Sequence, residues 1–277
     1  MDYSQKISNH YHHGNLLSAI QAGLEKQGIQ PQNASVEDLG AVDEFHIGGR
    51  RASVHFLDQL AVTGSQTILD IGCGLGGSAR FAAKQYGAQI TGIDLTAEYV
   101  ETGQVLCDWV GLSDRIKLHH GSALSLPFTD ASFDGAFMMH VGMNIQDKTA
   151  LFSEIARVLK TGAKFGIYDI MQTNGEGLVY LVPWATTSET SWLAEPKDYR
   201  QALENSGFQV TAQNDRHGFA MDFFKTLKAA KDAGNGPPPL GLHVLMQQST
   251  GEKINNMVAN LMANRISPVE MIATVVR

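Results

Sequence analysis

The chain has 277 residues, of which 43% are hydrophobic and 18% charged, and its formal net charge at pH 7 is −7. This length can bury a full hydrophobic core and allows one large domain or two small ones. The acidic balance and the absence of a Lys/Arg-rich block disfavour a nucleic-acid-binding face, and no apolar run approaches the roughly 18 residues that span a bilayer.

The first six residues and the two cysteines indicate the compartment. Residues 1–6 lack the basic and apolar regions of a signal peptide, so we expect a cytoplasmic protein without a membrane partner. Cys73 lies in a glycine-rich turn and Cys107 in a predicted helix. Neither suggests a disulfide framework, and we expect two small buried thiols.

The first sixty residues are predicted to be mostly helical and to form a lid, residues 1–60, in front of a larger domain, residues 61–277. Leu16, Leu17, Ile20 and Leu24 give one apolar helix face, and a glycine at position 28 ends it.

Three histidines, His10, His12 and His13, cluster near the start of the chain. A metal site would need a Cys or carboxylate partner at ligand spacing, and none is present. We therefore expect a mobile, solvated terminus and no metal.

The segment 42–51 combines two acids, His46, a glycine pair and two arginines just before another predicted helix, residues 52–60. Glycine pairs let the backbone approach a ligand, and Arg50 offers a planar fork for a carboxylate. The segment is either a lid over cofactor and substrate or a turn that links two helices and carries surface charges. Composition leaves both open.

Residues 67–77 begin with alternating β-branched and apolar residues, become glycine-rich and continue into a helical pattern. This order predicts a strand, a tight turn and a helix start. Gly72, Gly74 and Gly77 satisfy the spacing of a dinucleotide-binding turn. The sequence therefore predicts that a nucleotide-bearing ligand lies over this turn.

Asp70 decides which ligand that is. A pyrophosphate would meet the helix N-terminus favourably but would also lie close to this carboxylate, whereas S-adenosylmethionine (SAM) has no phosphate and carries an ammonium and a sulfonium. Asp94 closes the second predicted strand, residues 89–94, and is placed to bind two ribose hydroxyls. NAD enzymes also use an acid there, so Asp94 indicates a ribose without separating the cofactors.

The chain continues with alternating strands and helices. Further strands are predicted at 115–119, 132–139 and 164–171, with a helix at 147–160 between the last two. Such alternation predicts a doubly wound parallel sheet of the α/β class. Because residues beyond the strand ends face the ligand crevice, His140 and Asn144 become candidate site residues, and the turn at 121–128 a candidate adenine contact.

The second half departs from strict alternation. A cap insertion at about 172–195 contains Trp184 and Trp192 and would form a pocket wall or a satellite core. A helix at 196–206 and a strand at 208–214 follow. A helical insertion at about 219–264 is interrupted by a Gly/Pro-rich loop, 234–239, and a closing strand is predicted at 269–276.

Several motifs together resemble the class I SAM-dependent methyltransferases over about residues 45–215. Residues 68–77 resemble their nucleotide-binding motif, and Asp94 matches their ribose acid. Residues 126–134 (LPFTDASFD) and 157–163 (RVLKTGA) resemble two later signatures. The resemblance implies a Rossmann-like, mostly parallel sheet in the order 3-2-1-4-5-7-6, with the last strand antiparallel, and helical caps from both ends of the chain.

The resemblance also implies the cofactor SAM, with S-adenosylhomocysteine as product. Two turn residues, Thr161 and Ala163, depart from the family pattern, as does Ser122, where many relatives carry an aspartate. The residues expected to bind SAM are Asp70, Gly72, Cys73, Gly74, Asp94, Leu95, Ser122, Ala123 and His140.

A narrower resemblance covers nearly the whole chain. Residues 43–50, 140–145, 183–185 and 240–243 are similar to proteins named as sarcosine/dimethylglycine N-methyltransferases. It implies a small amino-acid-like amine as the methyl acceptor. His46 or His140 would assist loss of the amine proton and Arg50 would hold the carboxylate, with Asn144 beside them. The implied substrate pocket is Trp184, Met143 and His243.

Other readings remain open. Within the class, the acceptor atom could be the sulfur or oxygen of a small thiol or hydroxyl, or a carbon of a quinone-like ring. Outside it, the glycine spacing permits an NAD-dependent oxidoreductase, and a non-catalytic SAM-binding module is a third reading. The helical ends allow packing against a second copy of the chain.

Overall fold

The computed structural model describes residues 3–234 and 238–276. Seven strands of one sheet lie in the order β3-β2-β1-β4-β5-β7-β6. These strands are β1 (Thr67–Ile71), β2 (Gln89–Asp94), β3 (Ile116–His120), β4 (Phe133–Met139), β5 (Leu159–Gln172), β6 (Phe208–Asp215) and β7 (Ile266–Val275). The helices are α1 (Tyr3–Tyr11), α2 (Leu16–Lys26), α3 (Val36–Asp43), α4 (Gly49–Asp58), α5 (Gly77–Tyr86), α6 (Ala97–Trp109), α7 (Lys148–Val158), α8 (Pro196–Asn205), α9 (His217–Asp232), α10 (His243–Met246) and α11 (Thr250–Met262).

The sheet confirms the predicted topology. β1 pairs in parallel with β2 and β4, and β4 pairs in parallel with β5. β7 lies between β5 and β6 and runs antiparallel to both. The strand order therefore reverses beside β1, which places a crevice at the carboxyl ends of β1 and β4.

Helices cover both faces of the sheet. One core packs α4, α5 and α6 against the strands, and a second packs α7 and α8 against the opposite face. Two further apolar clusters lie above the crevice. One joins α2 and α3 to α6 and α10, and the other joins α9 and α11 to residues 182–185. The division into a lid, 1–60, and a domain, 61–277, stays a prediction.

Several element ends differ from the predictions by a few residues, and two of these differences have a clear physical reason. The helix predicted for 147–160 ends at Val158, because Leu159 already pairs with Phe133 and starts β5 five residues early. β7 begins at Ile266, before Pro268, whose missing N–H is tolerated and whose carbonyl accepts the Arg216 N–H. The loop predicted at 234–239 lies partly outside the described residues.

The prediction of a mobile, solvated N-terminal segment is wrong. Glu98 accepts hydrogen bonds from the backbone N–H groups of His13 and Leu16, and its carboxylate lies 3.1 Å from His12 Nδ1. The His10 ring is hydrogen-bonded to the Pro183 carbonyl at 3.0 Å. α1 is therefore docked over the crevice.

Both cysteines are free and buried, as predicted. Among the described residues, no cluster of His, Cys, Asp and Glu has the arrangement of a metal site. In the same residues, no helix combines the length and apolar character needed to cross a bilayer.

A buried ion pair joins the N-terminal helices to the sheet. The Asp43 and Arg80 side chains are fully buried and form a two-pronged pair, with Arg80 Nε 3.1 Å from Asp43 Oδ2. α3 and α5 approach so closely that a Cβ on Gly77 would lie 2.4 Å from Asp43 Cβ. Arg80 also donates to the carbonyls of Leu75 and Gly103, so one side chain ties three segments together.

We expect Arg80→Leu to destabilise the protein by about 3–5 kcal/mol, because it leaves the Asp43 carboxylate buried without a counter-charge. Urea unfolding followed by circular dichroism measures the change. Lys84→Met is the matched control on the same helix, since the exposed Lys84–Glu37 pair is worth about 0–1 kcal/mol. Equal losses for both variants would contradict the role assigned to Arg80.

Candidate active site

A cavity of about 250 Å³ opens at the carboxyl ends of β1, β2 and β4. Its floor is the turn after β1, and its roof comes from both ends of the chain. The lining includes Ile7, Tyr11, Asp43, His46, Ile47, Asp70, Gly72, Cys73, Gly74, Asp94, Leu95, Tyr99, Ser122, Ala123, His140, Met143, Asn144, Trp184, Phe223, Phe224, Leu227, Leu242, Leu245, Met246, Ile254 and Met257. All nine residues predicted to bind SAM are among them.

The glycine turn is held against the end of β2. The backbone N–H groups of Gly72 and Cys73 both donate to the Ile93 carbonyl, at 2.8 and 3.0 Å. Gly72 has a positive φ of 65°, and a Cβ there would lie 2.3 Å from a methyl group of Val141. Only glycine therefore fits this position, and the turn presents bare backbone to the cavity.

Asp94 is fixed by two backbone donors. Its carboxylate accepts the Gly74 N–H at 2.9 Å and the Thr96 N–H at 2.8 Å. Burial raises the pKa of Asp94, while these N–H groups lower it. The carboxylate is thus held in place at the end of β2, where it can accept hydrogen bonds from two ribose hydroxyls.

The Asp70 carboxylate is buried and incompletely hydrogen-bonded. Its side chain is buried, with 3% of the residue exposed, and Oδ2 has no hydrogen-bond partner. Burial first, and then repulsion from Asp94, raises the pKa of Asp70 well above its usual value. A cationic ligand would offset both effects, so the site fits SAM, whereas a pyrophosphate would bring two more negative charges close to the two carboxylates.

His46 and His140 lie side by side over the crevice, with ring centres 6.0 Å apart. The Ile47 N–H points at His140 Nε2 at 3.4 Å, so the neutral His140 ring carries its proton on Nδ1, which is buried without a partner. Burial lowers the pKa of His140, and His46 lowers it further. The Tyr168 hydroxyl donates to the Ile47 carbonyl at 2.9 Å, which fixes the segment that carries His46.

His46 is backed by a carboxylate. Its Nε2 is hydrogen-bonded to Ser53 Oγ at 3.0 Å and to the Gly49 carbonyl at 3.2 Å, and Glu44 Oε2 lies 3.2 Å away. Because the Ser53 hydroxyl donates its own hydrogen to Glu44, Nε2 carries the ring proton and Nδ1 is the basic nitrogen. Burial lowers the pKa of His46 to about 4, because Gly49 compensates only in part and Arg50 opposes a second positive charge.

Two predicted site residues do not reach the cavity. Arg50 is turned to Glu44, with an ion pair of 2.8 Å, and its guanidinium lies over the Phe81 ring at 4.4 Å. His243 begins α10, whose other residues Leu245 and Met246 line the cavity while His243 does not. The structure therefore does not bring Arg50 or His243 into the cavity lining, and their roles as carboxylate clamp and pocket residue stay predictions.

Asn144 lines the cavity but is engaged in holding its roof. Its Nδ2 donates to the carbonyls of Trp184 and Thr190, both at 2.9 Å, and its Oδ1 accepts the Tyr11 hydroxyl at 3.1 Å. Trp184 and Met143 also line the cavity, as predicted. These contacts make Asn144 a positioning residue.

Sequence reasoning missed the apolar chamber above the two histidines. It is formed by Ile7 and Tyr11 of α1, Phe223, Phe224 and Leu227 of α9, and Ile254 and Met257 of α11. The paired phenylalanines followed by Leu227 one turn later are a visible signal in the sequence. They predict an amphipathic helix but not which surface it covers.

The sequence and the fold are similar to those of known methyltransferases. A family model described as "Methyltransferase domain" matches residues 69–167. A rice (Oryza sativa subsp. japonica) protein named as a tocopherol O-methyltransferase is 42% identical over 99 residues, which cover 36% of this chain and 27% of the relative. The chain thus spans about a quarter of that relative's length.

Two solved structures share the fold. Geranyl diphosphate C-methyltransferase from Streptomyces coelicolor has a TM-score of 0.74 at 16% identity, and the match covers 100% of this chain and 98% of that one. A Galdieria sulphuraria protein named for sarcosine and dimethylglycine methylation has a TM-score of 0.65 at 20% identity, covering 82% and 85%. At these identities the likeness is one of fold alone.

Residues 69–167 match a methyltransferase domain, and the fold and the site agree with the class of SAM-dependent methyltransferases, which the relatives' names also support. The cofactor is SAM, which agrees with the unpartnered Asp70 oxygen, and the NAD-dependent reading gains no support. The cytoplasmic location, the absence of a nucleic-acid partner and the second copy of the chain stay predictions.

We expect Asp70→Asn to weaken SAM binding and to remove its pH dependence. Because the pKa of Asp70 is raised in the free protein, a cation binds better once the carboxyl has lost its proton, so wild-type affinity rises with pH. Isothermal titration calorimetry in two buffers of different ionisation enthalpy measures the proton released on binding. Asp134→Asn, at the opposite end of the sheet, is the control. Unchanged proton release in Asp70→Asn would refute this role.

Proposed function

We propose that the protein transfers the methyl group of SAM to a hydroxyl oxygen of a largely apolar small molecule, with His46 accepting the hydroxyl proton. The observation that carries the proposal is a buried, uncharged histidine, backed by a carboxylate, beside an apolar chamber. Bound SAM supplies a methyl group already activated by its positive sulfur.

The chamber favours an apolar acceptor body. Among the residues that the structure describes, no Lys or Arg lines the cavity. Aromatic and aliphatic side chains of α1, α9 and α11 surround the space beside the histidines. Burial of apolar surface there contributes about 25 cal/mol per Å² and excludes water from the reacting oxygen.

His46 suits a hydroxyl acceptor. Its basic Nδ1 belongs to a ring that lines the cavity, while Nε2 faces Glu44. When the ring gains a proton, the Glu44 carboxylate stabilises the positive charge across 3.2 Å. Ser53 donates to the same carboxylate at 2.6 Å and Arg50 pairs with its other oxygen, so Glu44 is fixed in orientation.

The relatives support methyl transfer to small molecules without agreeing on the atom. The rice protein is named for oxygen and the Streptomyces protein for carbon. The amine acceptor of the sarcosine/dimethylglycine type stays a prediction. It would need a cation for the substrate carboxylate, and Arg50 is bound to Glu44 instead.

An acceptor panel tests the proposal. We expect SAM-dependent product formation with phenols and long-chain hydroxyl compounds and none with sarcosine or dimethylglycine, because the lining is largely apolar and these two amines have no apolar body to bury against it. Release of S-adenosylhomocysteine measures turnover, and mass spectrometry locates the methyl group. Turnover of sarcosine alone would overturn the proposal, as would methylation only at carbon. Asp94→Ala is the inactive control.

We expect His46→Gln to lower kcat about 10²–10⁴-fold on a hydroxyl acceptor while SAM affinity stays unchanged. With SAM kept saturating at each pH, wild-type kcat should persist to about pH 5 and fall as the pH approaches 4, because protonated His46 cannot accept a proton. Steady-state kinetics across pH 4–8 measure both effects. His119→Gln, an exposed histidine beside Phe128, is the control. A His46→Gln enzyme with wild-type kcat would exclude the role.

A further inference from the structure

A largely buried lysine, Lys253, lies beside the roof of the cavity, directly before Ile254, which lines it. Lys253 is in the first turns of α11 and shares its inward face with Met257, which lines the cavity. Only 8% of Lys253 is exposed. Helix side chains lean towards the N-terminus, so its ammonium is directed to the positive end of its own helix, where a cation is least favoured.

Lys253 has no counter-charge. In residues 3–234 and 238–276, no ion pair or hydrogen bond reaches its ammonium. Its charged neighbours are His10 and His13, and its own charge helps to lower the pKa of both rings. Glu98 is occupied by His12 and by the backbone of His13 and Leu16.

His13 adds a second donor without an acceptor. Gln247 Nε2 is hydrogen-bonded to His13 Nδ1, so the neutral ring carries its proton on Nε2. That Nε2 is buried and has no partner. The ring stacks on Tyr99 with centres 6.1 Å apart, and the Tyr99 hydroxyl is also buried without a partner.

This group of donors adjoins the cavity. Tyr99 and Ile254, the next residue after Lys253, both line it, and the His10 ring is bonded to Pro183, which lines it too. The donors therefore lie where the docked N-terminal segment meets α11. An ammonium, an imidazole N–H and a phenol hydroxyl without acceptors are complementary to one anionic group.

We propose that Lys253 and His13 form a binding subsite for a carboxylate or phosphate. The anion comes either from a methyl acceptor that carries an acidic head on an apolar body, or from the methionine carboxylate of SAM. The first source deepens the proposed function and rests on it, whereas the second does not. The subsite explains why a charge is kept at a buried position that a methionine would fill without penalty.

Two series of matched ligands distinguish an anion that comes from the acceptor from one that comes from SAM. Calorimetry on the full chain, saturated with S-adenosylhomocysteine, compares decanoate and decyl phosphate with decan-1-ol, which has the same apolar chain and no charge. A second series compares SAM with methylthioadenosine, the same nucleoside without the amino-acid end. Both series measure binding without turnover, so failure of the proposed methyl transfer leaves them interpretable.

We expect Lys253→Met to lower the affinity for the charged ligands of only one of the two series, by about tenfold or more. Lys253→Arg should retain most of that affinity. Loss of decanoate or decyl phosphate binding, with decan-1-ol unchanged, assigns the anion to the acceptor. Loss of SAM binding, with methylthioadenosine unchanged, assigns it to the cofactor. His13→Phe, which keeps the stacking on Tyr99, should weaken the same series, and Lys228→Met on α9 should change neither.

Thermal unfolding of the Lys253→Met variant shows whether a loss of binding could come from a folding defect. Without ligands, Lys253→Met should melt at a temperature equal to or above that of the wild type, because a charge without a counter-charge has been removed from a largely buried side chain. The proposal is overturned if the variant binds the members of both series as the wild type does. It is equally overturned if charged and uncharged ligands lose the same affinity.

Discussion

The ion pair between Asp43 and Arg80 is the constraint on which the site depends. It fixes α3, from the N-terminal part, to α5, which begins directly after the glycine turn. Because Glu44 and His46 follow Asp43 closely in the chain, the same ion pair also positions these two side chains relative to the floor of the cavity. Removing both charges from water is costly, and the two-pronged geometry together with the Leu75 and Gly103 carbonyls offsets that cost.

Local signals explain how much of the fold could be predicted from the sequence. The glycine turn, Asp70 and Asp94 are specified by a few adjacent residues, and the topology followed from alternation and from the family resemblance. Arg50 and His243 lie outside the cavity lining, which the sequence did not indicate, because position along the chain does not fix where a side chain points. Arg50 is directed by Glu44 and Phe81, and neither contact has a periodic signature.

The chamber was not predictable for a related reason. Its walls come from α1, α9 and α11, and each has an ordinary amphipathic pattern. An apolar stripe predicts only that one face of a helix is buried. The surface against which that face packs is determined by the tertiary structure. Lys253 is the residue whose charge breaks that pattern, on a face shared with Met257 and Leu261.

The position of β7 between β5 and the edge strand β6 has a consequence for biosynthesis. β5 is complete at Gln172, but its antiparallel neighbour begins at Ile266, about ninety residues later. At roughly 5–20 residues per second, a ribosome needs about 5–20 s to supply that neighbour. During this interval the long edge of β5 presents unpaired backbone groups, the kind of template on which nascent chains associate. Codon usage and chaperone access over residues 173–265 should therefore influence the yield of folded protein more than changes elsewhere in the gene.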